Sequence, residues 1–160
     1  MKHYYLFNNA SRATQYGIGT YLNQLSHGLK EEAKVSIISI NSDKEEVKST
    51  EDNGIRTIHI PKISYKNSSD NFQRYYRNLI YLLKTFISEE EAVFMLNYLY
   101  MTPLVKLLHE HFLNCKVVAV VHYLNWCLAL NGNVSKFHQL LESKHRDKKE
   151  EVLYEEYLND

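Results

Sequence analysis

His3-Tyr4-Tyr5-Leu6-Phe7, a run of small and polar residues from Asn8 to Gly19, a leucine-bearing segment from Thr20 to Leu29, and then Lys34-Val35-Ser36-Ile37-Ile38-Ser39-Ile40: this stretch decides the fold. Its first and last pieces are short and rich in aromatic and β-branched side chains, which suit a pleated, buried surface. Between them Leu22, Leu25 and Leu29 recur at spacings of three and four, the repeat of one buried stripe on a helix. The order is therefore strand, glycine-bearing loop, helix beginning near Thr20, strand. A unit of this kind joins parallel neighbours through a helical crossover.

The same alternation continues downstream. Asn41 to Gly54, charged and rich in Ser, Thr and Asn, reads as a solvated loop, and Ile55 to Ile60 as a third strand closed by Pro61 and placed near a sheet edge. After the polar stretch Ser64 to Asn71 comes a long helix, capped by Ser69 or Asp70, with Phe72, Tyr75, Tyr76, Leu79, Ile80, Leu83 and Phe86 on its apolar side. Ala92 to Asn97 is nearly continuous in apolar residues, as a strand covered on both faces requires. Thr102-Pro103 opens another helix, which presents Leu104, Leu107, Leu108 and Phe112 and stops at Asn114. Val117 to Val121 is a fifth strand ending at His122. Beyond it lie Trp126, the loop Asn131-Gly132-Asn133, and a helical tail from Val134 in which Val152, Leu153, Tyr157 and Leu158 form a packing stripe. The sequence predicts an α/β fold, a Rossmann-like, open and mainly parallel sheet with helices on both faces, in one domain.

Composition narrows the function classes. Lysine plus arginine equals aspartate plus glutamate at 19 each, so no overall charge draws the 160-residue chain to nucleic acid. The opening residues meet Asn8-Asn9 too early for a signal segment, and no run reaches the roughly 18 apolar residues of a membrane span. Cys115 and Cys127 are too far apart for a CxxC pair and read as reduced thiols, Cys127 as a small buried hydrophobe. The expected location is the cytoplasm.

Two features carry chemistry. Gly17-Ile18-Gly19 lies between the first strand and the first helix, where glycine lets a ligand approach the backbone and the helix start offers free amides to phosphate. Glycine in ordinary turns accounts for the same spacing equally well. A nicotinamide-type site would want a third glycine where Leu22 stands, an acid where Asn41 precedes Asp43, and a loop shorter than Asn8 to Tyr16. The second feature is His122, at the carboxyl end of a predicted strand, where open α/β sheets place their ligand crevice. There a histidine donates to a sugar hydroxyl or a phosphate oxygen, or is satisfied by neighbouring backbone. His109 and His111 point to different faces of a helix, and no cluster has metal-ligand spacing, so no metal is expected. On the long helix Arg74, Arg77 and Lys84 interleave with the aromatics, either to meet a lipid headgroup or acidic acceptor or simply as the solvated side of a core helix.

Taken together, Gly17-Ile18-Gly19-Thr20-Tyr21, Asn97-Tyr98, Val120-Val121-His122-Tyr123-Leu124-Asn125-Trp126 and Leu130-Asn131-Gly132-Asn133 resemble the amino-terminal domain of GT-B glycosyltransferases. The likeness is to the glycogen-synthase-like, retaining kind, particularly bacterial enzymes of surface-polysaccharide assembly. Where the family's loop commonly has a further glycine, this chain has Tyr16. The resemblance implies that Gly17, Gly19 and Thr20 line the donor diphosphate, that His122 reaches the donor sugar as the catalytic-site residue, and that Asn97, Tyr98 and Trp126 meet the acceptor. It further implies a nucleotide-sugar donor, a glycan or lipid-linked acceptor, peripheral contact with the inner membrane face and no separate cofactor. The carboxyl-terminal donor domain has no counterpart here. Residues 1–160 are therefore expected to be one incomplete acceptor-side domain, a fragment inactive alone. The alternatives are a non-catalytic α/β module that binds a protein through its aromatic surface, and a nucleotide-cofactor domain.

Overall fold

The computed structural model describes residues 2–10, 17–62, 69–87, 91–122, 130 and 133–159, with the backbone alone at 69–72, 99 and 159. The elements are β1 (His3–Asn9), α1 (Ile18–Leu29), β2 (Lys34–Ser42), β3 (Lys48–Asp52), β4 (Ile55–Pro61), α2 (Ser69–Phe86), β5 (Ala92–Leu96), a 3-10 turn (Leu99–Met101), α3 (Pro103–His111), β6 (Lys116–Ala119), α4 (Val134–Glu142) and α5 (Lys148–Asn159). The chain forms two compact units, residues 1–120 and 121–160.

The first unit is built on a six-stranded sheet in the order β3-β4-β2-β1-β5-β6. Every pairing is parallel except β3 with β4. This is the Rossmann-like α/β architecture. Its helices cover both faces, because right-handed crossovers that step in opposite directions across a sheet fall on opposite sides of it. The step from β1 through α1 to β2 runs one way; those through α2 to β5 and through α3 to β6 run the other. Burial agrees: Tyr5, Leu6 and Phe7 are consecutive and all buried, as are Ala92, Val93 and Phe94. Each fully buried large apolar side chain contributes roughly 1.5–3 kcal/mol, so the centre of β1 and β5 anchors the unit. Phe94 packs against Tyr5 and Phe7, with ring centroids 5.4 and 6.3 Å away.

Several boundaries differ from those read in the sequence, each for a local reason. The segment 41–54 is not all loop, since Lys48–Asp52 pairs antiparallel with β4. Asn53 and Gly54 both have positive φ, 51° and 76°, the geometry of a two-residue hairpin turn that Asn-Gly favours. All five β3 side chains are exposed, so no apolar alternation marks the strand. Ile55–Pro61 lies between β3 and β2, second from the sheet edge and so near it, as the sequence reading placed it.

Helix α1 begins at Ile18 rather than near Thr20, so Gly19 belongs to its first turn and not to the loop. It buries Ile18, Leu22 and Ser26, while Leu25 and Leu29 are half-buried. Ser26 Oγ donates to Asn23 O at 2.9 Å, which satisfies the buried hydroxyl. Helix α2 starts at Ser69 itself, placing Ser69 and Asp70 in its first turn. Strand β5 ends at Leu96 instead of Asn97, and β6 at Ala119 instead of Val121. The last rung is Val120 N–H to Leu96 O at 2.8 Å, and β5 offers no carbonyl beyond it.

The second unit holds α4 and α5, so the helical tail is interrupted at Ser143–Asp147. Asn133 caps α4 by accepting from Lys136 N–H at 3.0 Å. Asp147 Oδ1 accepts from Lys149 and Glu150 N–H at 2.7 and 2.9 Å, and so starts α5. Arg146 lies 3.6 Å from the Tyr154 ring centroid and its Nε donates to Leu140 O at 2.8 Å, fastening the two helices.

Candidate functional site

Strand order selects the candidate crevice. β1 lies between β2 and β5, and the chain steps from β1 towards β2 on one side and from β5 towards β6 on the other. Where successive crossovers diverge, loops at the carboxyl ends of the strands part and leave room for a ligand. Those ends here are Asn8 and Asn9 on β1, and Asn97 and Tyr98 after β5.

Asn97 is 2% exposed and forms the floor. Its Nδ2 donates to Phe7 O at 2.9 Å and to Met95 O at 3.3 Å, clipping together the ends of the two strands. Tyr98 is also buried, and its hydroxyl donates to Asn8 Oδ1 at 3.3 Å. Tyr100, in the 3-10 turn, is 38% exposed. Its hydroxyl accepts from Asn9 Nδ2, and its backbone carbonyl accepts from the Tyr76 hydroxyl at 3.1 Å. The rings of Tyr98 and Tyr100 stand 5.5 Å apart. The result, among the described residues, is a cluster of amides and phenols in which Asn97 is buried and Tyr100 partly exposed.

Gly17 stands at the same sheet edge, since β1 leads into its loop. It caps α1 with φ 69° and ψ 4°, a left-handed conformation, and makes no side-chain bond. A Cβ there would meet nothing within 4 Å, so glycine is required by the backbone angle and not by crowding. The first helical bond runs from Tyr21 N–H to Gly17 O at 3.0 Å, which leaves the earlier amides outside the ladder. Gly19 is half-buried and Thr20 exposed within that first turn. Leu22, where a dinucleotide site would have its third glycine, is a core residue 2% exposed.

His122 follows the end of β6 in the chain by three residues and belongs to the 121–160 unit. Burial pushes its pKa below the ordinary histidine value, which favours the neutral ring with one N–H donor. Trp126, Cys127, Asn131 and Gly132 lie outside the described residues. Asn8, Asn9 and Tyr100 were not singled out in the sequence, although a polar Asn-Asn pair ending an apolar strand is a legible signal.

Two other polar groupings are not sites of reaction. His3 Nε2 lies 2.9 Å from Ser36 Oγ, and the Tyr5 hydroxyl lies 3.0 Å from His3 Nδ1. The chain looks like a nucleophile and base, but Ser36 is 2% exposed and stands at the amino-terminal edge, so it ties β1 to β2. Cys115 Sγ approaches Leu108 O at 3.6 Å and His109 Nδ1 at 3.7 Å. Burial raises its thiol pKa, partly opposed by a backbone hydrogen bond, which keeps it protonated and a poor nucleophile. Among the described residues no three His, Cys, Asp or Glu side chains come together as metal ligands, and no helix is long and apolar enough to cross a membrane. The chain matches no protein-family model, no curated protein and no solved structure.

Proposed function

We propose that this chain is the acceptor-side, amino-terminal domain of a GT-B glycosyltransferase of the glycogen-synthase-like, retaining kind, working on a glycan or lipid-linked acceptor at the cytoplasmic face of a membrane. The observation that carries the reading is the joining of the ends of β1 and β5 at a topological switch point by Asn9, Tyr98 and Tyr100, with a left-handed glycine starting the helix that follows β1. The amides at Gly17 suit a diphosphate oxygen. Neutral amides and phenols, with an exposed aromatic edge, suit the hydroxyls and apolar ring face of a sugar. The neutral ring of His122 in turn suits a sugar hydroxyl better than it suits an ion pair with phosphate.

On this reading the nucleotide is held mainly by a second domain, and the reacting centres align only when both halves close. Such alignment accounts for up to roughly 7–11 kcal/mol of barrier reduction, so the 160-residue chain alone does not turn over. The test is calorimetry of the chain with uridine, guanosine and adenosine diphosphate sugars, followed by a turnover assay and by amide chemical shifts on titration with oligosaccharide. Weak or absent donor binding, no product, and glycan-induced shifts at Asn9 and Tyr100 are expected. Micromolar donor affinity with turnover, or no shift at those residues, sinks the reading. In a two-domain enzyme carrying these residues, His122→Ala is expected to lower activity far more than stability.

A further inference from the structure

Asn53-Gly54, the turn between β3 and β4, holds an asparagine whose side-chain amide precedes a glycine nitrogen at the surface. Both residues have positive φ, 51° and 76°, and both are exposed. A Cβ on Gly54 would meet nothing within 4 Å, so nothing crowds the turn. The ladder closes between Asp52 and Ile55, which leaves the Gly54 N–H outside it.

A cation addresses the same peptide bond. Lys30, at the carboxyl end of α1, donates from Nζ to Asn53 O at 3.4 Å, across 23 residues of sequence. When Gly54 N loses its proton, resonance through the planar peptide shares the negative charge between that nitrogen and Asn53 O. The Lys30 ammonium therefore stabilises the anion more than the neutral peptide, and favours the form of Gly54 N that acts as a nucleophile.

We propose that Asn53 is a site of spontaneous covalent modification, converted to isoaspartate and aspartate in the folded chain, and that Lys30 promotes the change. Rotation within the exposed turn brings the Asn53 side-chain carbon Cγ to Gly54 N. The bond from Gly54 N to Cγ forms, the bond from Cγ to Nδ2 breaks, and ammonia leaves with the proton that Gly54 N gave up. Water then opens the five-membered imide. Addition at the former main-chain carbonyl yields isoaspartate, and addition at the side-chain carbonyl yields aspartate. Isoaspartate routes the main chain through Cβ and Cγ, which lengthens a two-residue turn fitted to the Asp52–Ile55 register. The new carboxylate also follows Glu51 and Asp52 directly. With five exposed side chains and no apolar surface to hold it, β3 then loosens from β4. The inference does not depend on the transferase reading, since no sugar takes part.

The experiment is prolonged incubation of the 160-residue chain above neutral pH, with tryptic peptide Ser49–Arg56 followed by mass spectrometry that separates the two products. Asn131-Gly132, the other Asn-Gly pair of the chain, is the internal reference. Conversion of Asn53 is expected, faster as pH rises because hydroxide generates the anion. Lys30→Gln should slow it about fivefold and Lys30→Arg should preserve it, while Asn131 converts equally in all three chains. An unchanged circular dichroism spectrum checks the fold. Where Lys30→Gln does not fold, the unaltered chain in about 1 M salt carries the test, because screening should slow Asn53 relative to Asn131. In the converted chain, amides of β3 should exchange with deuterium sooner than before, and those of β1 at the same rate. Asn53 intact while Asn131 converts, an unaltered rate in Lys30→Gln or in high salt, or unchanged β3 exchange after conversion overturns the proposal.

Discussion

Gly17 has a φ of 69° and open space where a side chain would stand, so the effect of replacing it is set by backbone angle alone. Gly17→Ala is expected to destabilise the chain by about 1–2 kcal/mol in urea titration, and Gly17→Asn by less, because asparagine tolerates the left-handed region. The same loss in both variants would point to a side-chain clash that the geometry does not contain. Asn97 and Tyr100 form a second contrast. Asn97→Leu strips the Nδ2 donor from Phe7 O and Met95 O inside the fold, at an expected 1–3 kcal/mol, roughly. Tyr100→Phe removes the acceptor of the Asn9 Nδ2 bond between residues 4% and 38% exposed, and should cost about 0.5–1.5 kcal/mol. If Tyr100 meets a ligand, as the proposed function has it, its phenylalanine variant should weaken glycan binding while lowering the unfolding midpoint less than Asn97→Leu does. Of the site, Gly17 was legible because it stands directly before a recognisable helix, and the Asn97-Tyr98 pair through the resemblance. Tyr100 was not, since nothing local says that its hydroxyl meets Asn9.

At the scale of elements, the β3–β4 hairpin shows what pattern reading misses. Asn53-Gly54 is a hairpin turn written openly in the sequence, yet β3 has no apolar residue for a period-two pattern to reveal. Among the described residues no strand pairs with the outer edge of β3, and its exposed side chains bury no apolar surface. Amides of Lys48–Asp52 should therefore exchange with deuterium well before those of β1 and β2; equal protection would mean an unsuspected cover on that edge. The hairpin also titrates. Burial first, then Lys44 and Lys48, push the His59 pKa below its ordinary value, opposed by Asp43, while His59 Nε2 stays 2.9 Å from Thr50 Oγ1. The folded state thus binds fewer protons at this ring than the unfolded chain does. Its contribution is fully present above about pH 6.5, is lost as pH falls towards the lowered folded value, and is constant below that. A series of urea midpoints against pH should show this decline, and His59→Gln should remove its share; an unchanged profile in the variant would assign the decline elsewhere.

For the whole molecule, buried apolar side chains are unevenly divided: of those described, only Leu130 and Leu140 come from residues 121–160. Amides of α4 and α5 are accordingly expected to exchange at a lower opening free energy than the centre of the sheet, because hydrophobic burial is what makes opening costly. Exchange of both units at one common free energy would show a single cooperative body instead. The sequence by itself determined the element types apart from β3, the alternation that makes an α/β sheet, and the glycine before α1, because periodicity, proline and glycine act through a few adjacent residues. Strand order was decided only by tertiary structure. Asn97 reaches Phe7 across 90 residues, and Asn9 reaches Tyr100 across 91. It is the pairing of β1 with β5, on the side away from β2, that turns these separate strand ends into one cluster. A local pattern cannot contain that result, since which strands become neighbours is set by how distant apolar faces share one core.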